Sequence, residues 1–163
     1  MAVLTFANEA TSAVAAPRMF KALLLDMDNL LLKIMPDIFK SIETLQGDGG
    51  PGTVRESTIA IGGTTKRIKH RIDALDEEKM TKSYTMTESE GDDLMAKFES
   101  IAYEIAVEAT ADGGCKVKTV SKFFPKEGAA EVSEDQLKAH KGNSEALFKA
   151  VEGYLLANPQ AYA

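Results

Sequence analysis

Cysteine is almost absent from this sequence, with Cys115 alone among 163 residues. One thiol cannot form an internal disulfide, so the chain suits a reducing compartment. No run of about 18 apolar residues is present, which argues against a membrane-spanning helix. The first nine residues have neither a basic segment nor a sustained apolar run, so we expect no secretion signal. Together these absences predict a cytoplasmic protein.

An excess of positive charge is also missing. Lysine and arginine number 19 against 25 aspartates and glutamates, which gives a formal net charge of −6. This balance argues against non-specific attraction to nucleic acid or to an anionic membrane. Hydrophobic residues make up 44% and charged residues 27% of the chain, as in an ordinary globular protein. At this length we expect a single domain over residues 1–163 with a sizeable core.

Residues 47–53, with the sequence GDGGPGT, form the densest turn signal in the chain. Ordering so many glycines is unfavourable, so such a run persists where the backbone needs positive φ or close approach. The phosphate-binding pattern G-x-x-x-x-G-K-[ST] is absent, and no helix is predicted to follow. The run lies between two strand-like segments, 41–46 and 54–61, and we interpret it as a rigid hairpin loop that shapes a cavity mouth.

The segment before this loop predicts one strand and two short helices. Residues 3–10 alternate weakly and indicate a strand. Thr11 and Ser12 are predicted to cap a helix over residues 18–25, with Pro17 near its start. Asp28 and Asn29 are predicted to cap a second helix over residues 30–35, ended by a proline. Both helices are apolar on nearly all sides, so each must be covered by core on one side and by core or a cavity wall on the other.

After the loop, alternating apolar and polar residues predict further strands joined by short polar turns. Six strands follow the helix pair, each with one apolar face, as in an antiparallel meander. Residues 133–136 have a capping-box pattern, and they open a helix of about 24 residues. Its inward stripe is apolar in the C-terminal half but carries His140, Gly142, Asn143 and Ser144 in the N-terminal half. We expect one half to rest on the sheet and the other to face a space for water or ligand.

The predicted fold class is therefore α+β. It is a curved, seven-stranded antiparallel sheet wrapped round a long C-terminal helix, with the two short helices closing one end.

Several stretches resemble one known family. Residues 43–53, ETLQGDGGPGT, look like the signature of the plant pathogenesis-related class-10 proteins, the family of the major birch-pollen allergen. Supporting stretches lie at 20–30, 70–76, 111–114 and 147–159, so the resemblance spans essentially the whole chain. It implies the helix-grip fold and a large internal cavity for amphiphilic molecules such as flavonoids, cytokinins, sterols or brassinosteroids.

Further properties follow from the resemblance alone. It implies a role in plant defence, allergenicity, and a cytoplasmic location with the nucleus as a second compartment. It also implies a relation to abscisic-acid receptors, which brings hormone binding, receptor signalling and phosphatase inhibition. We expect a monomer with a small-molecule ligand, no membrane or nucleic-acid partner, no cofactor and no metal.

The resemblance also assigns candidate ligand-binding residues. Most of these residues match the family's ligand contacts and lining, and Ser57 and His140 are added because they are polar and lie on the inward strand and helix faces. The full set is Asp28, Leu31, Arg55, Ser57, Ile59, His70, Lys82, Tyr84, Met86, Ile101, Tyr103, Ile105, His140 and Ser144, with Gly47, Gly49, Gly50 and Gly52 in the loop. Strand alternation independently places seven of them on inward faces: Arg55, His70, Lys82, Tyr84, Ile101, Tyr103 and Ile105. Relatives commonly have tyrosine at the position of Lys82 and an aromatic residue at that of Ile59.

Lys82 is the most informative departure, because an unpaired buried ammonium group is expensive. It either reaches solvent at the cavity mouth or anchors an acidic or phenolate ligand. We hypothesise that the pocket prefers more polar or anionic ligands than tyrosine-lined relatives do. His70 and Tyr84 either bind a ligand oxygen or contact each other.

Two enzymatic alternatives remain open beside a carrier or buffer of such ligands. The family's disputed ribonuclease claim maps to Glu99, Glu152 and Tyr154, with the glycine-rich loop as phosphate site. No histidine pair suits acid–base RNA cleavage, and Glu152 can instead accept amides of the loop. The second alternative is a metabolic enzyme in the same cavity, with Lys82, His70 and Tyr84 as base and proton donors. We favour the non-enzymatic reading.

Overall fold

A computed structural model describes residues 3–91, 95–128 and 134–163. The chain begins with strand β1 (Leu4–Ser12), helix α1 (Ala16–Phe20) running into a π-helical turn (Lys21–Leu25), and helix α2 (Met27–Ile34). The meander follows as β2 (Phe39–Gln46), β3 (Val54–Ile61), β4 (Thr64–Asp76), β5 (Thr81–Glu90), β6 (Phe98–Ala109) and β7 (Cys115–Pro125). A 3₁₀ turn (Met95–Lys97) precedes β6, and helix α3 (Glu134–Ala157) is last.

All seven strands form one antiparallel sheet in the order β1-β7-β6-β5-β4-β3-β2. The six later strands pair with their neighbours in sequence, while β1 joins the far edge beside β7. Irregular pairing occurs between β2 and β3, between β4 and β5, and between β6 and β7. Such bulges bend strands and increase their twist. The predicted α+β helix-grip architecture is confirmed.

The main core lies where the C-terminal half of α3 meets the helix pair and one end of the sheet. Val151 and Leu155 are fully buried in α3, and they share a cluster with Met19 of α1, Val107 of β6 and Val117 of β7. Val151 and Leu155 lie about one helical turn apart on α3, as an inward apolar stripe requires. The predicted contact between this half of the helix and the sheet is therefore present.

Arg18 of α1 fastens the end of this helix. Its guanidinium donates to the backbone oxygens of Leu155 at 3.0 Å, Asn158 at 2.9 Å and Ala161 at 3.0 Å. The last carbonyls of a helix have no partners within the helix, so a cation here both satisfies them and interacts favourably with the helix dipole. The Tyr162 hydroxyl donates to Asp26 at 2.6 Å, so the segment after α3 is bonded to the residue between the two short helices.

Two predicted helix caps were wrong. Thr11 and Ser12 belong to β1, and α1 starts after Ala15 with no side-chain cap; Ser12 Oγ instead accepts the Val14 amide at 3.1 Å. Pairing with β7 continues to Ser12, so the two residues predicted to cap the helix belong to the sheet instead. Likewise α2 begins at Met27, and Asp28 lies in its first turn rather than before it.

The other boundaries are close to the predictions. Strand β5 extends to Glu90. After β4, Asp76 accepts the amides of Glu78 and Lys79 at 3.0 Å each, as in the short polar turns predicted between strands. Ser133 of the predicted capping box lies outside the described residues. Across the part of the chain that the structure describes, no helix is both long and apolar enough to cross a bilayer.

The adjacent leucines of α3 allow a direct test of the core. Leu155→Ala removes a fully buried side chain, so the free energy of unfolding should fall by about 2–5 kcal/mol. Leu156→Ala is the matched control, because Leu156 is 55% exposed and should change stability by about 0.5 kcal/mol or less. Urea denaturation of both variants measures the difference, and equal losses would contradict this packing of α3.

Candidate ligand-binding site

The concave face of the sheet brings the predicted residues together in cross-strand rows. His70, Met86 and Ile101 are successive neighbours across β4, β5 and β6. The next row places Tyr84 opposite Tyr103, and the row after it places Lys82 opposite Ile105. Side chains on one face of paired strands lie within contact distance. The alternation that predicted these inward faces is thus reproduced by the register.

Aromatic side chains form a continuous chain across this face. The His70 and Tyr84 rings meet edge to face with centroids 5.9 Å apart, and the Tyr84 and Tyr103 rings stack at 5.0 Å with an interplanar angle of 21°. The Tyr103 hydroxyl then hydrogen-bonds His140 Nε2 of α3 at 2.8 Å. His140 also packs edge to face on Phe123 at 5.6 Å. The chain of rings therefore connects the middle of the sheet to the N-terminal half of α3.

That half of α3 is not packed on the sheet as its C-terminal half is. Residues 141–146 are all exposed, including Ser144, which was predicted to line the interior. Val151 and Leu155, on the same stripe further along, are fully buried. The placement of Ser144 as a lining residue stays a prediction, because a side chain that borders an open interior is also exposed. His140 reaches the inner face, where it contacts Tyr103 and Phe123.

An ion pair closes the side of the site next to α2. Asp28 of α2 accepts a hydrogen bond from the Arg55 guanidinium of β3. The two side chains are 26% and 20% exposed, so they are largely shielded from solvent. Arg55 Nε also donates to the hydroxyl of Thr44 on the neighbouring strand β2, at 3.3 Å. Asp28 was predicted both as a helix cap and as a lining residue; the first prediction was wrong, and the second stays a prediction that this ion pair supports.

Lys82 bonds to the helix pair, which neither sequence interpretation anticipated. Its ammonium donates to the backbone oxygen of Leu24, near the end of the π-helical turn, at 2.9 Å. It also lies 5.9 Å from the centroid of the Tyr84 ring. A carbonyl near a helix end lacks an internal partner and carries partial negative charge, which favours a cation. Lys82 thus satisfies a backbone oxygen while remaining part-buried on the inward face.

Burial changes the proton affinities of three groups here. It lowers the pKa of His70 from its usual 6.5; the Asp28 charge opposes this shift, and the Lys82 and Arg55 charges reinforce it. Burial also lowers the pKa of Lys82, against the effect of Asp28 and with that of Arg55. For Tyr84, burial and then the Asp28 charge raise the pKa to about 12. The site therefore favours neutral imidazole, neutral phenol and a less basic amine.

Most of the remaining predicted residues share the inward strand face, and Leu31 lies on α2. Leu31 and Ile101 are buried, at 4% and 0% exposure, and Ser57 is buried at 8%. Ile59, Met86 and Ile105 remain partly accessible. Sequence reasoning missed Leu24 and Thr44. The strand register could have revealed Thr44, which is paired with Arg55, but no sequence signal marks a backbone oxygen such as that of Leu24.

Three amides of the glycine-rich loop are engaged in hydrogen bonds within the protein. Gly49 donates to Thr53 Oγ1 at 2.8 Å, Gly50 to Asp48 Oδ1 at 3.1 Å, and Gly52 to the Ile72 oxygen at 2.7 Å. Amides engaged in this way are not available to cradle a phosphate. The loop also borders a surface groove of about 600 Å³ whose lining includes the acidic side chains Asp48, Asp76, Glu77 and Glu78. Both findings agree with the expectation that this loop is not a phosphate site.

The suggestion that Glu152 supports this loop was wrong. The loop amides bond to Thr53, Asp48 and Ile72, whereas Glu152 accepts from Lys149 of its own helix at 3.4 Å. Its negative charge acts instead near Cys115, whose pKa is raised first by burial and then by this charge.

The three residues of the ribonuclease alternative do not form one site. Glu99 is exposed near the start of β6, in a surface groove of about 340 Å³. Glu152 lies near Cys115, which pairs with Ala109 at the other end of β6. Ten residues of strand separate these ends, roughly 33 Å at 3.3 Å per residue. Tyr154 accepts a hydrogen bond from Lys33 at 2.9 Å. Acid–base catalysis requires groups within hydrogen-bond reach of one substrate, and this arrangement does not provide that.

A long helix gripped by a curved antiparallel sheet, with polar and aromatic groups on the inner face, defines the helix-grip class of folds. Residues 1–158 match the model of the pathogenesis-related protein Bet v 1 family. The chain belongs to this family.

Relatives with known names are similar over nearly the full length. Major allergen Pru ar 1 of Prunus armeniaca is 45% identical over 162 residues, covering 99% of each chain. Major strawberry allergen Fra a 1.05 of Fragaria ananassa is 43% identical with the same coverage. The relatives are thus described as major allergens.

Solved structures agree on the fold. The structure of Ara h 8.0201 is similar with a TM-score of 0.86 and 37% identity, covering 96% of this chain and all of that one. Norcoclaurine synthase from Thalictrum flavum, in complex with dopamine and hydroxybenzaldehyde, has a TM-score of 0.72 at 21% identity, covering 96% and 88%. At that identity the second likeness establishes the shared fold alone.

His70 should titrate below pH 6.5, because burial lowers its pKa. As the pH falls below about 6.5, the unfolded chain takes up this proton before the folded protein does, so the free energy of unfolding decreases. The sequence has two histidines, so NMR titration can follow both, with His140→Gln assigning the signals. His70→Gln should remove this part of the pH dependence. A His70 midpoint at or above 6.5 would contradict the described burial.

Alanine substitution at two loop glycines with similar φ angles distinguishes the effect of backbone strain from that of a steric clash. Gly47 and Gly52 have φ of +95° and +90°, but a Cβ at Gly47 would lie 2.7 Å from the Thr53 Cα, whereas one at Gly52 would meet nothing within 4 Å. Both alanine variants should be destabilised by the positive φ, and Gly47→Ala by about 1–3 kcal/mol more. Thermal or urea unfolding measures this difference. Equal effects would show that the loop relaxes around Thr53.

Proposed function

We propose that this protein binds amphiphilic small molecules between the concave face of the sheet and α3, as a carrier or buffer. The observation that carries this proposal is the partial accessibility of inward side chains in the middle of the protein. Ile59, Met86 and Ile105 lie on the inward strand face yet remain partly accessible, whereas Val107, the next inward residue after Ile105 on β6, is 1% exposed. A core packed to ordinary density would leave none of them accessible.

The chemistry of the inner face suits a ligand with an apolar body and a few polar atoms. Apolar contact area would supply most of the affinity, at about 25 cal/mol per Å² buried. Arg55, Lys82 and His70 converge from three adjacent strands and would orient oxygen atoms of the ligand. Few polar groups within an apolar wall are typical of small-molecule sites.

The charges of the inner face support the hypothesis of an anionic preference. Asp28 is matched by Arg55, whereas Lys82 bonds to a neutral carbonyl oxygen. A ligand carboxylate or phenolate would supply the negative charge that this ammonium lacks.

Wider roles rest on the family relation. The pathogenesis-related family name and the allergen relatives support a defence-related role and allergenicity. Abscisic-acid binding, phosphatase inhibition and a cytoplasmic or nuclear location are further proposals on the same basis. A monomeric state is the simplest one for a carrier of this kind.

Binding is tested with 2-naphthalenemethanol, a small amphiphile whose fluorescence reports its surroundings. We expect saturable binding to the wild type at micromolar concentration. Met86→Trp replaces a flexible side chain with an indole ring on the inner face and should weaken binding at least about tenfold by occupying the site. Ala7→Trp adds the same ring at an exposed position of β1 and should leave binding unchanged. Absence of saturable binding to the wild type would overturn the proposed function.

The anionic preference is tested by comparing 2-naphthoate with 2-naphthalenemethanol. The ratio of their affinities should favour the carboxylate in the wild type and fall about five- to tenfold in Lys82→Tyr, because a charge-assisted hydrogen bond is lost. Isothermal titration calorimetry at fixed salt gives both constants. Equal ratios in the two proteins would refute the role of Lys82 as an anion anchor.

A further inference from the structure

Lys82 has the surroundings of a reactive amine rather than those of a structural ion pair. In the part of the chain that the structure describes, no carboxylate pairs with it: Asp28 acts on it electrostatically but is ion-paired with Arg55. Arg55 is a second cation acting on the same group. Lysines that react as nucleophiles in proteins are desolvated or placed beside another cation. Lys82 meets the first condition, since burial is the largest influence on its pKa and exceeds the opposing effect of Asp28.

We infer that Lys82 is a site of reversible imine formation with amphiphilic aldehydes. The inference rests on the proposed function, because the aldehyde must first bind on the inner face. It goes further in naming a covalent step, the reacting atom and the ligand class.

The hydrogen bond to Leu24 helps rather than hinders this reaction. A neutral amine still has two N–H groups, so it can keep donating to the Leu24 oxygen at 2.9 Å while its lone pair remains free. The bond therefore fixes Nζ without using the electrons that attack the carbonyl carbon. The lowered pKa of Lys82 increases the neutral fraction at a given pH, which supplies the nucleophile.

The step is balanced without an oxidant or a metal. The Nζ lone pair forms a C–N bond to the aldehyde carbon, and the carbonyl π electrons move to oxygen. Nitrogen loses a proton and the oxygen gains one, giving a carbinolamine. A second proton then reaches the hydroxyl, the nitrogen lone pair forms the C=N bond as the C–O bond breaks, and water leaves. The protonated imine that results loses its remaining N–H proton to give the imine. Hydrolysis reverses each step, so the bound aldehyde can be released.

Proton donors and acceptors for these transfers lie next to Lys82. Tyr84, whose ring is 5.9 Å from Nζ, stays protonated up to a pKa of about 12 and can donate to the departing hydroxyl. His70 contacts the Tyr84 ring and is neutral at pH 7, because its pKa is lowered by burial, so it can accept a proton. The titratable and charged groups facing Lys82 are thus Asp28, Arg55, His70 and Tyr84.

Burial selects the class of aldehyde. A water-soluble aldehyde without apolar surface gains nothing from the inner face and would react equally with any exposed lysine. An aryl aldehyde would instead be held beside Nζ, and proximity of this kind raises reaction rates far more than the concentration in solution does.

The test uses the full chain and 2-naphthaldehyde at low concentration with sodium cyanoborohydride, which reduces imines to stable secondary amines. Peptide mapping by mass spectrometry then locates the naphthylmethyl groups. We expect labelling at Lys82 to exceed that at Lys138, an exposed lysine of α3, by at least about tenfold. Acetaldehyde, which is uncharged and lacks an aryl group, should show no such preference. Labelling at Lys82 no greater than at Lys138 would overturn the inference.

Two variants and one analogue separate the possible failures. Lys82→Arg keeps the positive charge of the side chain, and Lys82→Met keeps its approximate length. Both variants should lose the preferred labelling. Lys138→Arg, the control, should still be labelled preferentially at Lys82. Circular dichroism confirms that each variant is folded. Binding of 2-naphthalenemethanol to the wild type without preferred labelling would refute imine formation but leave the proposed function intact. Loss of both would refute the two together.

Discussion

The burial of one half of α3 is the constraint on which the interior depends. Val151 and Leu155 are fully buried against the helix pair and the sheet, and Arg18 fastens the carbonyl end of the same helix. Because this end is fixed, the other half can stand off the concave face without detaching. A helix packed evenly along its length would fill the space that the inward side chains now border. The fold thus separates a part that provides stability from a part that can accommodate a ligand.

Much of this arrangement could be predicted from the sequence, because strand alternation has a fixed period of two. The inward positions of His70, Tyr84 and Tyr103 follow directly from that period, and the register confirms them. Helical periodicity gives the direction of a side chain and not the distance of the helix from its neighbour, so it could not predict that residues 141–146 are all exposed. Thr11 was misplaced because a local capping signal competes with sheet pairing, whose extent depends on the distant strand β7.

The partner of Lys82 could not be predicted for a different reason. Its acceptor is a backbone oxygen 58 residues away, made available by a π-helical turn that has no distinctive composition. Side-chain chemistry can be read from a sequence, whereas a free carbonyl depends on how a helix ends. The same holds for the ion pair of Asp28 and Arg55, because predicting it requires knowing how α2 is placed against β3. The electrostatics of the inner face are therefore set by tertiary contacts.

The ring contacts from Tyr84 through Tyr103 to His140 give the interior a connection to the outside. A ligand that takes the Tyr103 hydroxyl competes with His140 for it, and His140 is followed on α3 by six exposed residues. Occupancy of the inner face would then be transmitted to a solvent-facing turn of helix. Any molecule that recognises that turn would distinguish the filled protein from the empty one. Under the proposed function, ligand binding would therefore change the surface that other molecules meet.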